Sequence, residues 1–359
     1  MSARKPEKLR FLRVFRAAPL AALIACSGEY PQTTFRTVTD FGQSLNDLFG
    51  RVFWWTIPIL VLVEVVLLFV VIRYRRRPGG PTPKPVHGHT GLEMLWTLIP
   101  ALIVVAIAVP TVQTIFATQR RAPDEALMVE VVGHQWWWEF RYPEQGVVTA
   151  SELHLPAGRP VHLQLRSVDV IHSFWIPRLG GKRDTNPRPA REGQRPKLNH
   201  LTFTVSQPGS YLGQCAEFCG LSHAIMRMRA VVHTPEQFEA WAQRMQAPPA
   251  PPAGTLAERG REVFLRSPCI ACHTVEGTTA RGVIGPNLTL LGDRATVGAG
   301  ALANTPENLA RWIRDPGGVK PGAMMPGTRA PGGGLPPTGL NDADVEAVVA
   351  YLLSLRSGE

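Results

Sequence analysis

Two thiols, an imidazole and a thioether lie within twelve residues of this 359-residue chain, as Cys215, Cys219, His223 and Met226. All four are soft ligands, which suit copper better than magnesium or calcium, and methionine is rarely a zinc ligand. Two thiolates on one loop can bridge two copper ions and share the charge between them. With a second imidazole from elsewhere, the set predicts a dinuclear copper site that changes oxidation state with little ligand movement.

A second cysteine pair has a different spacing and is followed at once by histidine, in Cys269-Ile-Ala-Cys272-His273. This is the attachment pattern of a c-type haem: two thiols form thioethers and the histidine reaches the iron. Half of a zinc site is the alternative, but residues 274–359 contain neither cysteine nor histidine to complete four ligands. The pattern therefore predicts one covalent haem c. No disulfide framework is evident.

The net charge of +10 is concentrated in short basic runs. Six basic residues occupy the first sixteen positions, and Arg73, Arg75, Arg76 and Arg77 directly follow an apolar stretch. Because no nucleic-acid-binding module accompanies these runs, we interpret them as membrane-topology signals and expect no nucleic-acid partner.

Two apolar stretches, Val52–Ile72 and Leu92–Phe116, can each cross a hydrocarbon core of about 30 Å. They predict a transmembrane hairpin within residues 45–120. The basic loop between them, which also contains Lys84, is assigned to the cytoplasm by the positive-inside rule. Both flanking regions are then expected on the outer side of a bacterial inner membrane, where c-type haem is attached.

Residues 1–26 form a basic segment, a short apolar stretch and Leu23-Ile24-Ala25-Cys26, which is typical of a secretory signal. The last four residues also resemble a bacterial lipobox. Cys26 would then be the lipidated first residue of the mature protein. An uncleaved or differently cleaved leader is the alternative.

Residues 121–246 contain short alternating runs that predict a small β-sandwich or barrel, followed by a helix from Pro235 to about Met245 with Thr234 as its N-cap. A proline-rich linker occupies residues 247–254. Residues 255–359 predict a small helical domain whose irregular connections call for a bound cofactor in its core. Its helices are expected to begin at Thr255 with Glu258 as a capping box, at Thr305-Pro306, and at Asn341 with Asp344.

The stretch from about Leu45 to Met245 resembles subunit II of cytochrome c oxidase, a cupredoxin-like fold. The segment Asp169-Val-Ile-His172-Ser-Phe-Trp-Ile-Pro177 contains the second imidazole. The resemblance implies that the Glu217 carbonyl is also a copper ligand, and that the Glu217 side chain faces a magnesium ion near subunit I. The side chains it implies as copper ligands are His172, Cys215, Cys219, His223 and Met226. Four other histidines match no motif and are expected to be ordinary sheet or surface residues: His154, His162, His200 and His233.

The segment Gly133-His-Gln-Trp136-Trp-Trp-Glu-Phe-Arg-Tyr142 resembles the family's aromatic segment, whose first tryptophan is the surface point where electrons arrive. The resemblance implies this role for Trp136. Burial of all three tryptophans in the core is the alternative, but consecutive strand residues point to opposite faces, so at least one is expected to face outward or lie in the interface. Residues 178–195 match the family only in part, so the arginine that approaches the haem propionates of subunit I is left open.

Two glutamates lie in the apolar stretches, where ionisable groups are costly. Glu93 stands three residues before Trp96, like the family's glutamate at the mouth of a proton pathway into subunit I. An interfacial glutamate at a helix start is the alternative. Glu64 matches no motif and is expected to be a packed or protonated contact with a neighbouring helix.

The segments Gly285-Pro-Asn-Leu288 and Lys320-Pro-Gly-Ala-Met324-Met325-Pro326 resemble the haem-edge and distal-ligand loops of class I cytochrome c. The family's Met-Pro pairing selects Met325 as the second axial ligand beside His273. Methionine–histidine ligation raises the reduction potential, as an electron carrier near the oxidising end of a chain requires.

The whole chain thus resembles subunit II of bacterial caa-type haem–copper oxidases. The resemblance implies that electrons from cytochrome c or a cytochrome bc complex pass from haem c through the copper pair to subunit I. There, beside subunit III, oxygen is reduced with proton pumping. A nitric-oxide-reducing relative and a non-catalytic copper or haem assembly protein are the alternatives. A quinol oxidase is disfavoured because its subunit II lacks the copper ligands.

Overall fold

The computed structural model describes residues 30–76, 78–80, 85, 88–119, 121–187, 198–252 and 254–358. The predicted signal sequence with Cys26 lies outside this range. So do Arg77 and Lys84 of the basic loop, and three of the arginines left open above: Arg188, Arg191 and Arg195.

Two long helices, α1 (Asp40–Arg73) and α2 (Thr90–Thr118), are apolar enough to cross a membrane, with mean hydropathies of 2.8 and 2.3. They are antiparallel: residues 51–58 of α1 and 106–110 of α2 line one shared groove. The start of α1 and the end of α2, which both continue into the soluble part of the chain, therefore lie at the same end of the hairpin.

Helix α1 begins well before the predicted span because its first turn is fixed to the β domain. The Thr39 hydroxyl accepts from the Gly42 N–H as the N-cap and donates to the Leu179 carbonyl at 2.6 Å. The side chain of Phe41 is buried, and the Asp40 carboxylate accepts from the Thr204 N–H. The membrane helix and the β domain are thus joined through buried contacts.

The β domain is a sandwich of two five-stranded sheets, ordered β3-β2-β1-β5-β8 and β4-β10-β9-β6-β7. Most neighbours are antiparallel, but β1 pairs with β5 and β4 with β10 in parallel. The strands are β1 (Leu127–His134), β2 (Trp137–Tyr142), β3 (Val147–Ala150), β4 (Glu152–Pro156), β5 (Pro160–Ser167), β6 (His172–Trp175), β7 (Arg183–Thr185), β8 (Asn199–Thr204), β9 (Gly209–Cys215) and β10 (Arg227–His233). Alternation of buried and partly exposed residues along β5 places its apolar face in the core.

Helix α3 (Pro235–Gln246) closes the sandwich and begins where the sequence predicts. Thr234 and Gln237 form a capping box, with proline at the first helical position. Trp241 of this helix packs against Tyr142 and stacks on His154 at 4.3 Å between ring centroids.

The C-terminal domain is mainly helical: α4 (Thr255–Arg266), α5 (Cys269–Cys272), α6 (Pro306–Arg314), α7 (Pro316–Val319) and α8 (Asp342–Ser354), with a short hairpin of β11 (Thr296–Val297) and β12 (Leu302–Ala303). Helix α4 crosses α8 at Gly260, where a Cβ atom would lie 1.8 Å from the Ala347 carbonyl oxygen. The predicted caps Thr305 and Asn341 are confirmed. The predicted capping box of Thr255 is wrong: the N-cap is Gly254, at φ 92°, and Thr255 is already helical.

Candidate metal centre and haem site

The proposed copper ligands converge at one end of the second sheet. His172 is the first residue of β6, Cys215 is the last residue of β9, and Met226 directly precedes β10. Strands β6 and β9 pair with Phe174 opposite Cys215, which brings His172 beside the cysteine loop. A chain reversal between β9 and β10 adds Cys219 and His223, so three neighbouring strands determine the site.

The donor atoms of these five side chains form one connected cluster. Sγ of Cys215 is 3.8 Å from Sγ of Cys219 and 4.0 Å from Nδ1 of His172. Sγ of Cys219 is 3.6 Å from Nδ1 of His223 and 3.8 Å from Sδ of Met226. His172, Cys215, Cys219 and Met226 are buried, and both cysteines are free thiols. Two thiolates flanked by two imidazoles and a thioether fit a pair of copper ions.

Hydrogen bonds favour an ionised thiol in this cluster. The bond with Cys219, outweighing burial and helped by His172, lowers the pKa of Cys215. The same hydrogen bond, together with burial, raises the pKa of Cys219, because a thiol that donates to an ionised Cys215 keeps its proton and a second thiolate would repel the first. A cation held by both thiolates would remove that repulsion, so the pair is suited to bind cations.

Asp169 holds the ring of His172 from the side away from the cysteines, with Oδ1 2.8 Å from Nε2. Burial favours the neutral ring, but the bonds to Asp169 and Cys215 outweigh it and raise the pKa of His172. The carboxylate also accepts from the backbone N–H groups of Gln135 and Val170. It therefore fixes the ring so that Nδ1 points to the sulfur atoms.

Glu217 presents its backbone and its side chain in different directions. Its carbonyl oxygen lies 3.2 Å from Sγ of Cys215, beside the donor cluster. Its carboxylate is partly exposed and lies 3.8 Å from Nζ of Lys182. The backbone is thus available to the copper site and the side chain to a cation outside it.

The predicted haem attachment residues, Cys269, Cys272 and His273, lie on the single turn of α5 and the residue after it. Nδ1 of His273 is 2.8 Å from the Pro286 carbonyl, which leaves Nε2 as the free donor atom. Burial lowers the pKa of His273 and keeps the ring neutral, as an iron ligand must be. Gly285 lets its loop pack on this ring, since a Cβ there would lie 2.6 Å from the imidazole. These features fit a histidine-ligated haem.

The two candidate methionines differ in their surroundings. Met324 is 57 % exposed, whereas Met325 is partly buried and packs against the apolar core of the C-terminal domain. This difference favours Met325 as the axial ligand, in agreement with the Met-Pro pairing.

Trp136 is not at the surface of the chain, contrary to its predicted exposure. Only 7 % of the residue is accessible, because Gly322 of the C-terminal domain lies against its indole ring. Its Nε1 donates to the Cys219 carbonyl at 2.9 Å. Of its neighbours, Trp138 is in the core and Trp137 stacks on His134 at 4.1 Å. Trp136 therefore lies in the interface between the two soluble domains, next to the cysteine loop.

The membrane glutamates occupy different positions. Glu93 is in the first turn of α2, where Oε1 accepts from the His89 N–H at 3.3 Å. Glu64 lies in the middle of α1 with its side chain on the outside of the chain. Neither residue is close in sequence to the proposed copper or haem ligands.

Asp169, Ser222 and Lys320 make contacts at the site that the sequence patterns did not indicate. Asp169 stands three residues before His172, and that spacing could have indicated a carboxylate–histidine pair. Ser222 and Lys320 lie at the contact between the soluble domains, which no spacing within either domain predicts.

Three families match this sequence in succession. Residues 37–114 match the cytochrome c oxidase subunit II transmembrane domain, residues 147–233 its periplasmic domain, and residues 257–356 cytochrome c. Cytochrome c oxidase subunit 2 of Alkalihalophilus pseudofirmus is 38% identical over 97% of this chain and 96% of its own length. That of Bacillus sp. strain PS3 is 37% identical, over 79% and 80% of the two chains.

Among solved structures, the periplasmic domain of subunit II of cytochrome oxidase from Bradyrhizobium japonicum is 27% identical. It covers 35% of this chain and 97% of that chain, with a TM-score of 0.32. The relative from Alkalihalophilus pseudofirmus matches nearly the whole chain, and the three family matches follow one another along it. The chain belongs to the cytochrome c oxidase subunit II family, in the form that continues into a cytochrome c domain.

Proposed function

We propose that electrons reach this chain at a covalent haem c and leave it through a dinuclear copper centre held by the five converging side chains and the Glu217 carbonyl. As a family member, the chain is the electron-input subunit of an oxidoreductase complex and works beside other oxidase subunits. Both bound groups carry single electrons. The convergence of His172 and the cysteine pair is the observation that supports the proposal most directly.

The copper assignment is tested by metal analysis and electron paramagnetic resonance of the purified full-length chain. We expect two copper ions per chain and a signal in which one unpaired electron is shared between them. Ser173→Ala, which removes a buried hydroxyl beside His172 that is not in the donor set, is the matched control for Cys215→Ser. A single zinc ion, or copper retained by Cys215→Ser, would refute the assignment.

The haem assignment rests on Cys269, Cys272 and His273 at the turn of α5 and on the Met325 side chain. A covalent haem stays with the polypeptide when acidified acetone extracts free haem. We expect this retention in the parent chain and its loss in a variant with both Cys269 and Cys272 replaced by alanine. Extraction of haem from the parent chain would contradict the covalent link.

We propose further that both soluble domains face the periplasm, with the basic loop in the cytoplasm. The antiparallel hairpin supports this arrangement because it places the start of α1 and the end of α2, which leads into both soluble domains, at the end opposite the basic loop. In this orientation Glu217 is available to a magnesium ion shared with subunit I, and Glu93 lies at the opposite end of α2 from the β domain. Protease added to intact spheroplasts should cleave the soluble domains while sparing residues 74–89.

The processing of the leader is a separate proposal. Cys26 as a lipidated first residue predicts a mature mass that begins at Cys26 and includes a diacylglycerol thioether. Mass spectrometry of the membrane-purified subunit tests this directly. A mature protein that begins at Met1 would refute the lipid proposal and would leave the copper and haem proposals unchanged.

Cytochrome c or a cytochrome bc complex is proposed as the electron donor to the haem domain. Residues 255–359 contain ten Lys or Arg and ten Asp or Glu, so their charge provides no strong overall field for a soluble partner. The full-length relatives are cytochrome c oxidases, which favours oxygen as the final acceptor over nitric oxide and over an assembly role.

A further inference from the structure

The C-terminal domain (here the haem domain) contacts the β domain (here the copper domain) through hydrogen bonds at two separate places. On one side, the Glu152 carboxylate of β4 accepts from the Ala295 N–H at 3.0 Å, and the Arg227 N–H donates to the Ala299 carbonyl at 3.1 Å. On the other side, the Ser222 hydroxyl donates to the Pro321 carbonyl at 2.6 Å. The Ser222 bond joins the loop that follows the cysteines to the loop that leads to Met325.

Lys320 is the most deeply enclosed charged group of this interface, 3 % exposed. Its Nζ donates to the Trp136 carbonyl at 2.6 Å and to the Gly298 carbonyl at 2.8 Å. It is also the one lysine in residues 255–359. Burying a lysine ammonium costs free energy unless its donors find acceptors, and here two carbonyls from different domains accept two of its three N–H bonds.

Lys320 bonds the backbone of Trp136, whose side chain in turn bonds the cysteine loop. The two residues after Lys320 also contact this region: Pro321 bonds to Ser222, and Gly322 packs on the indole of Trp136. A side chain at Gly322 would displace the ring, because a Cβ there would lie 2.6 Å from it. The segment that leads to the axial methionine therefore lies directly on the residue that bonds the Cys219 carbonyl.

We propose that Lys320 is a positioning residue for electron transfer, which holds the haem domain on Trp136 and closes that tryptophan to soluble donors. The proposal rests on the proposed function, in which the haem and copper groups occupy the sites described. One electron passes from reduced haem c to the oxidised copper pair only while the domains are docked. An undocked haem domain would slow this step and expose Trp136.

The test compares Lys320→Met with the parent chain in the purified, fully loaded oxidase complex. Methionine keeps the length of the side chain and removes both hydrogen bonds. Arg266→Met is the matched control, because it removes one positive charge from the exposed surface of the same domain. A double variant, Lys320→Met with Ser222→Ala, removes the second contact on the same side in case one bond alone leaves the domains docked.

Two readouts are needed. The first is the rate at which the copper pair oxidises photoreduced haem c, expected to fall by about tenfold or more in the double variant, as for loss of buried interface bonds. The second is hydrogen exchange of residues 134–138 and 219–223, expected to accelerate in Lys320→Met and not in Arg266→Met. The haem and copper spectra should stay as in the parent, and Lys320→Arg should restore part of the protection.

An unchanged transfer rate and unchanged exchange in the double variant would overturn the positioning role, provided both groups are bound. Absence of haem or copper from the parent chain would instead overturn the proposed function. A slower rate with altered haem or copper spectra would also count against Lys320 as a positioning residue, since the loss would then arise at the sites themselves.

Discussion

Oδ1 of Asp169 lies 2.8 Å from Nε2 of His172, on the side of the ring opposite the cysteine sulfur atoms. The carboxylate is itself held by two backbone N–H groups and by the hydroxyl of Ser167. Burial raises the pKa of Asp169, but the bonds with His172 and with the backbone N–H groups of Val170 and Gln135 outweigh it and lower the pKa, so the group stays ionised. The imidazole is therefore oriented by a fixed anion before any metal binds.

We expect Asp169→Asn to weaken copper binding by about 10–100-fold, as is typical when a carboxylate behind a metal-binding histidine is lost. Competition with a copper chelator, followed by optical spectroscopy, measures the change. Asp184→Asn, in the neighbouring strand β7 and without a side-chain bond to His172, is the matched control. Equal copper affinity in Asp169→Asn and the parent would show that the pair has no role in binding.

Replacement of the two adjacent methionines should have unequal effects on the haem. Met325→Ala should remove the sulfur-to-iron absorption band and lower the reduction potential, because Met325 packs against the domain core. Met324→Ala should change neither, since Met324 is largely exposed. Spectra and redox titrations of both variants decide the matter, and the reverse pattern would place the axial ligand at Met324.

Gly260 predicts a strong dependence of the haem domain on one missing side chain. Gly260→Ala places a Cβ at 1.8 Å from the Ala347 carbonyl, so helices α4 and α8 must separate. We expect a loss of about 1–3 kcal/mol or more in the free energy of unfolding, the usual cost of overpacking. Gly317→Ala in α7 is the control, because the added Cβ would lie 3.9 Å from its nearest neighbour, Oδ1 of Asp315. Thermal unfolding followed at the haem band should separate the two, and equal midpoints would contradict the close crossing.

The copper domain should lose stability in acid through His154. Burial, with smaller contributions from His233 and Arg294, lowers the pKa of His154 to about 3. Between about pH 3 and 6.5 the unfolded chain therefore binds a proton that the folded chain does not, and the free energy of unfolding falls as pH decreases through that window. Denaturant titrations should show a shallower fall in His154→Leu. The same slope in His154→Leu and the parent would contradict this, while the exposed His200→Gln serves as control.

The sequence predicted the parts of the fold that depend on local chemistry. The caps at Thr234, Thr305 and Asn341 were correct because each side chain bonds a backbone N–H only three residues away. Thr255 failed because glycine before it can adopt the positive φ of an alternative N-cap. The start of α1 at Asp40 was missed because contacts with the β domain, rather than apolar composition, extend the helix.

The donor cluster itself was predictable because soft ligands at short spacing identify a metal site whatever the surrounding fold. The burial of Trp136 could not be predicted from the sequence, because it depends on how two domains of one chain dock. Lys320 reaches Trp136 through a hydrogen bond between domains that are far apart in sequence. The residues next to each of them in the sequence do not indicate this contact.

Stopped-flow spectroscopy of Cys219→Ser in the purified oxidase complex is the most direct test of the proposed order of electron transfer. Cys219 lies between Cys215, His223 and Met226, so its loss removes a bridging thiolate from the donor cluster. We predict that the donor still reduces the c-type haem at the parent rate while electrons no longer reach the haems of subunit I. Fast reduction of the subunit I haems in this variant would mean that electrons bypass the copper pair, and would contradict the proposed order of transfer.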